Sequence, residues 1–216
     1  FYAPPFEASP VRTDNFVGSI EEGAPVNFFN LRINPHGNGT HTECVGHIKR
    51  GEFSIGRSLT EFHFRAQLIS VYPEKKENGD RIITLSHLRG QWEPDEAADA
   101  LIVRTLPNPD EKRSQIYSGT NPPFFSAEAI DYIVDKQIKH LLVDLPSIDP
   151  ESDGGRLAAH KSFFNFSGSV RTESTISELI FVPDKIKDGN YLLQLSVLRL
   201  DLDVSPSRVI IYELKD

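Results

Sequence analysis

The sequence predicts a mixed α/β fold, and three observations carry that expectation. An apolar run at 101–106 is followed by a helix signal at 126–134 and a second apolar run at 138–145, an order that implies parallel pairing through a crossover. Two β-rich stretches, 191–204 and 208–214, lie near the C-terminal end. GxGxxG, internal repeats and low-complexity tracts are absent, so neither a regular dinucleotide-binding sheet nor a solenoid is expected. At 216 residues the chain suits one domain with a sizeable core, and 1–216 is read as a single unit.

Taken in order, residues 1–24 are rich in Pro, Glu and Ser and read as an extended arm. Residues 25–34 (PVNFFNLRIN) alternate enough for a strand, which hands the next segment over from a strand end. Residues 62–71 (FHFRAQLISV) make another strand, stopped by Pro73 and by the Asn78-Gly79 turn signal. The strand at 101–106 (LIVRTL) leads into a Pro- and Asn-bearing loop long enough to be functional. Ser126 can cap a helix with Glu128 in its first turn, and Ile130, Ile133 and Val134 share one face at i, i+3 and i+4. The strand at 138–145 (IKHLLVDL) delivers Asp144, Ser147 and Asp149 at the edge where open α/β sheets place ligands. Residues 156–163 read as a helix, and the last two β segments are divided at Ser205-Pro206-Ser207.

Composition excludes several classes of partner. The net charge is −8 and the Lys and Arg residues are scattered, so there is no basic stripe for nucleic acid. No apolar run reaches the roughly 18 residues of a membrane span, and the start lacks a signal peptide's basic and apolar regions. A cytoplasmic protein is therefore expected. The single cysteine, Cys44, cannot form an intrachain disulfide, which fits a reducing compartment. With no methionine and Phe at position 1, the natural start is expected to be missing or processed.

Chemistry concentrates between His36 and His47, where twelve positions hold three of the chain's seven histidines and Glu43. Imidazole with carboxylate is a donor mix for zinc, manganese or iron. Gly37 and Gly39 around Asn38 predict irregular or extended backbone, so His36 and His41 are not read as the pair of a helical HExxH site. With an extended chain from Thr40, His41 and Glu43 share one face at about 7 Å between Cα atoms. His47 has the same parity but lies about 20 Å along a straight strand, so a bend at Gly46 must bring it back. Cys44 faces the other way and reads as a buried thiol rather than a nucleophile. His63, His87 and His140 are given no chemistry, and Trp92, Phe124 and Phe125 read as core or dimer contacts.

In this window and downstream of it the chain resembles the cyclase family of metal-dependent hydrolases, which includes kynurenine formamidases and isatin hydrolases and has the signature HxGTHxDxPxH. Gly39-Thr40-His41 matches GTH, Glu43 stands at the aspartate and His47 at the last histidine. Residues 102–105, 122–125, 143–150 (VDLPSIDP), His160, Glu173 and 205–208 (SPSR) follow in family order, so the likeness spans nearly the whole chain. Three departures stand out. Both Gly37 and Asn38 separate His36 from GTH where the signature has one residue, Glu43 is one methylene longer than aspartate, and Val45 replaces proline.

The resemblance implies a swivelling β/β/α fold, a barrel-like mixed sheet with flanking helices, in a homodimer or higher homo-oligomer. It implies one or two divalent ions, zinc first and manganese second, held by His36, His41, Glu43, His160 and Glu173, and His47 as the catalytic proton-transfer group. Taken alone, His160 reads as a helix-surface residue and Glu173 as a partner of Arg171, and Glu178 rivals Glu173. The implied reaction is hydrolysis of a non-peptide C–N bond in a small cyclic or aromatic formamide, amide or lactam. Such an ion brings a bound water's pKa to about 7 and polarises the carbonyl. Two other classes compete: a protein that binds ion and ligand without turnover, and a lyase or cyclase whose product, unlike a hydrolase's, gains no water.

Overall fold

The computed structural model describes residues 2–214. Among them seven strands close into a barrel: β1 (His41–Glu43), β2 (His63–Val71), β3 (Ala100–Thr105), β4 (His140–Val143), β5 (Thr175–Glu178), β6 (Gly189–Val197) and β7 (Val204–Glu213). Around the wall the order is β4, β5, β1, β7, β6, β2, β3 and back to β4. The neighbours β2/β3, β3/β4 and β4/β5 pair parallel; β5/β1, β1/β7, β7/β6 and β6/β2 pair antiparallel. The expected barrel-like mixed sheet is what the chain forms.

Alternation along each strand divides the core in two. Ala66, Leu68, Ala100, Ile102, Leu142, Leu193 and Leu195 fill the inside of the barrel. Ile69, Val71, Leu101, Val103, Leu141, Val143 and Ile176 face the other way and pack against helices. The helical segments include α1 (Pro35–Asn38), α2 (Leu85–Gln91), α3 (Ala127–Asp135) and α4 (Ala158–Phe163). The Ser126 side chain accepts the Ala129 N–H to cap α3, and Ile130 and Ile133 are fully buried against the wall. Helix α3 joins parallel strands β3 and β4, which is the crossover read from the sequence.

Three expectations need correction. Residues 35–38 are one helical turn rather than irregular or extended chain, because Asn34 accepts the Gly37 N–H and Pro35 occupies the first turn before Gly39, at φ +156°, ends it. The arm is not simply extended: Glu7–Pro10 pairs antiparallel with Phe29–Arg32, an exposed ribbon. Ser205-Pro206-Ser207 lies within β7, and the turn falls at 198–203 instead. Pro206 is tolerated because it sits past Ser207, the last β7 residue paired with β6, where no ladder donor is needed.

Candidate metal centre

Strand β1 sets the geometry by parity. His41 and Glu43 leave its outer face and are fully buried, while Thr42 points the other way and hydrogen-bonds Ser177 at 2.7 Å. Antiparallel register puts Glu178 of β5 opposite His41, and His41 Nε2 lies 3.3 Å from Glu178 Oε2. The His41 Nδ1–H donates to the Gly39 carbonyl at 3.0 Å, which leaves the Nε2 lone pair facing inward to the cluster.

The other groups converge from short, separately positioned segments. Helix α1 brings His36 Nδ1 to 3.3 Å from Glu43 Oε2 and His36 Nε2 to 3.0 Å from Asp203 Oδ2. A 3-10 turn at Val45–His47 supplies the required bend and returns His47 Nδ1 to 3.7 Å from Glu43 Oε2 and 3.4 Å from Asp203 Oδ2. Gly46 allows this by its size: a Cβ there would meet Phe53 O at 3.0 Å and Asp203 Cβ at 3.1 Å. From α4, His160 Nε2 reaches 3.0 Å from Glu43 Oε1 and 3.8 Å from Glu178 Oε1. Its Nδ1 is held 2.5 Å from Asp149 Oδ2, and the same carboxylate accepts the Ala159 and His160 N–H groups at 2.7 and 3.1 Å. Asp149 therefore both orients the ring and satisfies the first turn of α4.

Charges in the cluster act on one another. Burial opposes the charged form of His36, but its hydrogen bond to Asp203 and the nearby Glu43 carboxylate outweigh it and lift the imidazole to about 9. Burial likewise opposes charge on His160, and the Glu43 carboxylate with the Asp149 bond holds it well above the ordinary histidine value. Glu43 is driven well below the usual carboxylate range against its own burial, chiefly by the His160 charge. Asp203 is lowered mainly by its bonds to His36 and His47.

These residues fit a divalent cation. His41 Nε2, both Glu43 oxygens and His160 Nε2 are buried and have no hydrogen-bond partner, a costly arrangement for lone-pair donors that a bound cation would relieve. Three overlapping trios bring donor atoms within 4.8 Å of one another: His36/His41/Glu43, His36/His47/Asp203 and Glu43/His47/His160.

Of the residues singled out from sequence, His36, His41, Glu43, His47 and His160 come together here. Glu173 does not. It is exposed before β5, beside Ser58, Glu61 and Lys139, and five positions along an extended chain separate it by roughly 16 Å from Glu178, the acid that enters the cluster. His160 is buried rather than on a helix surface. Asp203 was missed by sequence reasoning, since it falls in a polar turn whose only signal is its place two residues before the Ser205-Pro206 step. Asp144 is occupied elsewhere: it accepts from Thr105 N at 2.9 Å and from Lys112 Nζ at 2.9 Å. Cys44 belongs to the inner core, and burial pushes its thiol up, away from nucleophilic use. His140 is buried against Phe64 and Thr175 and lowered by that burial to about 4.

The sequence profile of the family described as putative cyclase matches residues 3–150, well over half of the chain. The chain belongs to this family. Kynurenine formamidase from Bordetella petrii is 24% identical over 214 residues, which cover 98% of this chain and 93% of that one. The Bacillus cereus kynurenine formamidase is 26% identical over 196 residues, 89% of this chain and 83% of the relative. Isatin hydrolase A from Labrenzia aggregata, bound to benzyl benzoate, shares the fold at a TM-score of 0.64 and 15% identity over 94% of this chain and 81% of that one. A structure described as a potential metal-dependent hydrolase with cyclase activity gives 0.65 at 16% identity, over 97% and 88%. No helix of this cyclase-family chain, among the described residues, is long and apolar enough to cross a membrane.

Proposed function

We propose that this chain is a metal-dependent hydrolase of a non-peptide C–N bond, acting on the formamide, amide or lactam of a small cyclic or aromatic substrate. The observation that carries the reading is the meeting of His41 Nε2, the Glu43 oxygens and His160 Nε2 as buried, unpartnered lone-pair donors. Its family relatives named kynurenine formamidase and isatin hydrolase support the same chemistry.

His36, His41, Glu43, Glu178 and His160 would hold one or two cations, Glu43 being common to two of the donor trios. Imidazole and carboxylate donors suit zinc, with manganese the alternative. A bound divalent ion supplies water activation near neutral pH and polarises a carbonyl. Asp149 fixes the His160 ring so that Nε2 faces the cluster. His47, with 31% of its side chain exposed, is the imidazole positioned to pass a proton to a leaving nitrogen. Asp203 and Glu43 hold its Nδ1 side, which directs Nε2 away from them. A homodimer or larger homo-oligomer fits the apolar side chains left bare on the N-terminal ribbon, Phe29 and Leu31 among them.

The test is elemental analysis of the purified protein, then chelation and metal add-back on a panel of N-formyl anilides and lactams. Metal-dependent hydrolysis is expected, a lactam giving one ring-opened product heavier by one water and an N-formyl anilide giving the free aniline and formate. Full metal loading with no turnover across the panel would instead indicate a binding protein.

A further inference from the structure

Strand β1 closes the barrel over only three residues, so its neighbours β5 and β7 stand two strand spacings apart, about 10 Å. Thr40 is the last residue to bridge them: its carbonyl accepts from Ser207 N at 3.1 Å and its Oγ1 donates to the Leu179 carbonyl at 2.6 Å. Gly39 then turns the chain away into α1. Beyond Thr40 both flanks run on with no strand between them, and a cavity of about 570 Å³ fills the strand-wide slot. Its lining includes five consecutive residues of β7, 207–211, as expected when a strand is met edge on rather than by one face.

That edge is chemically bare. Ser207 N donates toward Thr40, and since alternate residues of a strand point their peptide groups the same way, the N–H and C=O of Val209 and Ile211 also face the slot. Among the described residues no strand pairs with this flank of β7 beyond Pro206. An unpaired edge within a cavity is a template for another extended segment. The lining is otherwise apolar at Ile102, Ile180 and Ile186, and two guanidinium groups sit in it. Arg113 lies 5.6 Å from the Phe181 ring centroid, and neither Arg113 nor Arg208 has a carboxylate partner among the described residues, in a chain of net charge −8. None of the proposed metal-binding residues lines the cavity, whose volume falls in the range of about 300–1,000 Å³ usual for small-ligand sites.

We propose that this slot binds a short extended peptide or N-acyl amino acid with a free α-carboxylate. The ligand's secondary amides add a strand to the edge at Val209 and Ile211, its apolar groups meet the isoleucines, and its carboxylate is taken by Arg113 and Arg208. The site is independent of the cation.

The probe is the tripeptide acetyl-Leu-Val-Leu as the free acid and as its C-terminal amide, titrated calorimetrically and by ¹⁵N NMR into the full chain with and without metal. The acid is expected to bind at least tenfold tighter than the amide, equally in both metal states, and to shift the Val209 and Ile211 amide resonances. Arg113→Gln, at an exposed position, should weaken the acid at least tenfold and leave the amide unchanged. Val209→Pro removes a slot-facing donor while sparing the β6 ladder and should weaken both peptides. Equal affinity of acid and amide, unmoved Val209 and Ile211 signals, binding that requires the metal, or no saturation at millimolar peptide would each overturn the proposal.

Discussion

Asp149 offers a way to separate positioning of a ligand from support of the fold, because one carboxylate does both. Its Oδ2 faces His160 Nδ1, while its two oxygens take the Ala159 and His160 N–H groups at the start of α4. Asp149→Asn keeps a carbonyl oxygen for the helix but removes the charge that holds the ring's proton on Nδ1. Losing such a supporting partner typically costs 10–100-fold in metal affinity, or about 1.4–2.7 kcal/mol. Asp149→Ala loses the helix acceptor as well and should unfold more easily by a further ~1 kcal/mol or so. Competition with a chromophoric chelator measures the first quantity and urea unfolding of the metal-free protein the second. The reasoning fails if Asp149→Asn holds the cation as tightly as the unaltered chain, for then Asp149 only caps α4 and His160 is not among the ligands.

Other substitutions and conditions bear on the same site. Glu178→Gln should lower metal content sharply, and Glu173→Gln should leave it unchanged, as read by elemental analysis of the two proteins side by side. His47→Ala should reduce kcat at least about 100-fold with metal content near normal; loss of the metal would make His47 a ligand instead. For the metal-free protein the raised His36 value sets a pH window. Its stabilising proton is fully in place below about 6.5, the unfolded value, and is lost as pH rises through about 9, so Tm should fall across that interval. The loaded protein, in which a cation takes the proton's place, should hold its Tm there, and metal affinity should rise with pH.

Much of this was legible in the sequence because it rests on local rules. The two-residue period placed His41 and Glu43 together and turned Cys44 away, and the strand–helix–strand order gave the parallel β3–α3–β4 unit. The failures share a cause, which is that long-range packing decides what local pattern leaves open. Glycines at 37 and 39 read as helix breakers, yet a capped proline turn, Pro35–Asn38, takes in the first and stops at the second. Glu173 precedes and Glu178 ends one short strand, and only the antiparallel register with β1 shows that Glu178 is the acid opposite His41. Asp203 lies 167 positions from His36 and joins it only when β7 is laid beside β1.

The shortest strand of the wall carries two of the cluster's donors, and each flanking strand brings a carboxylate to it, Glu178 from β5 and Asp203 from just before β7. A strand held by only three paired positions on either side is thus the one that an ion would rivet. Protease nicking or amide exchange around residues 39–47 becomes a substrate-free gauge of occupancy, slow when the rivet is in place and fast when a chelator has drawn it.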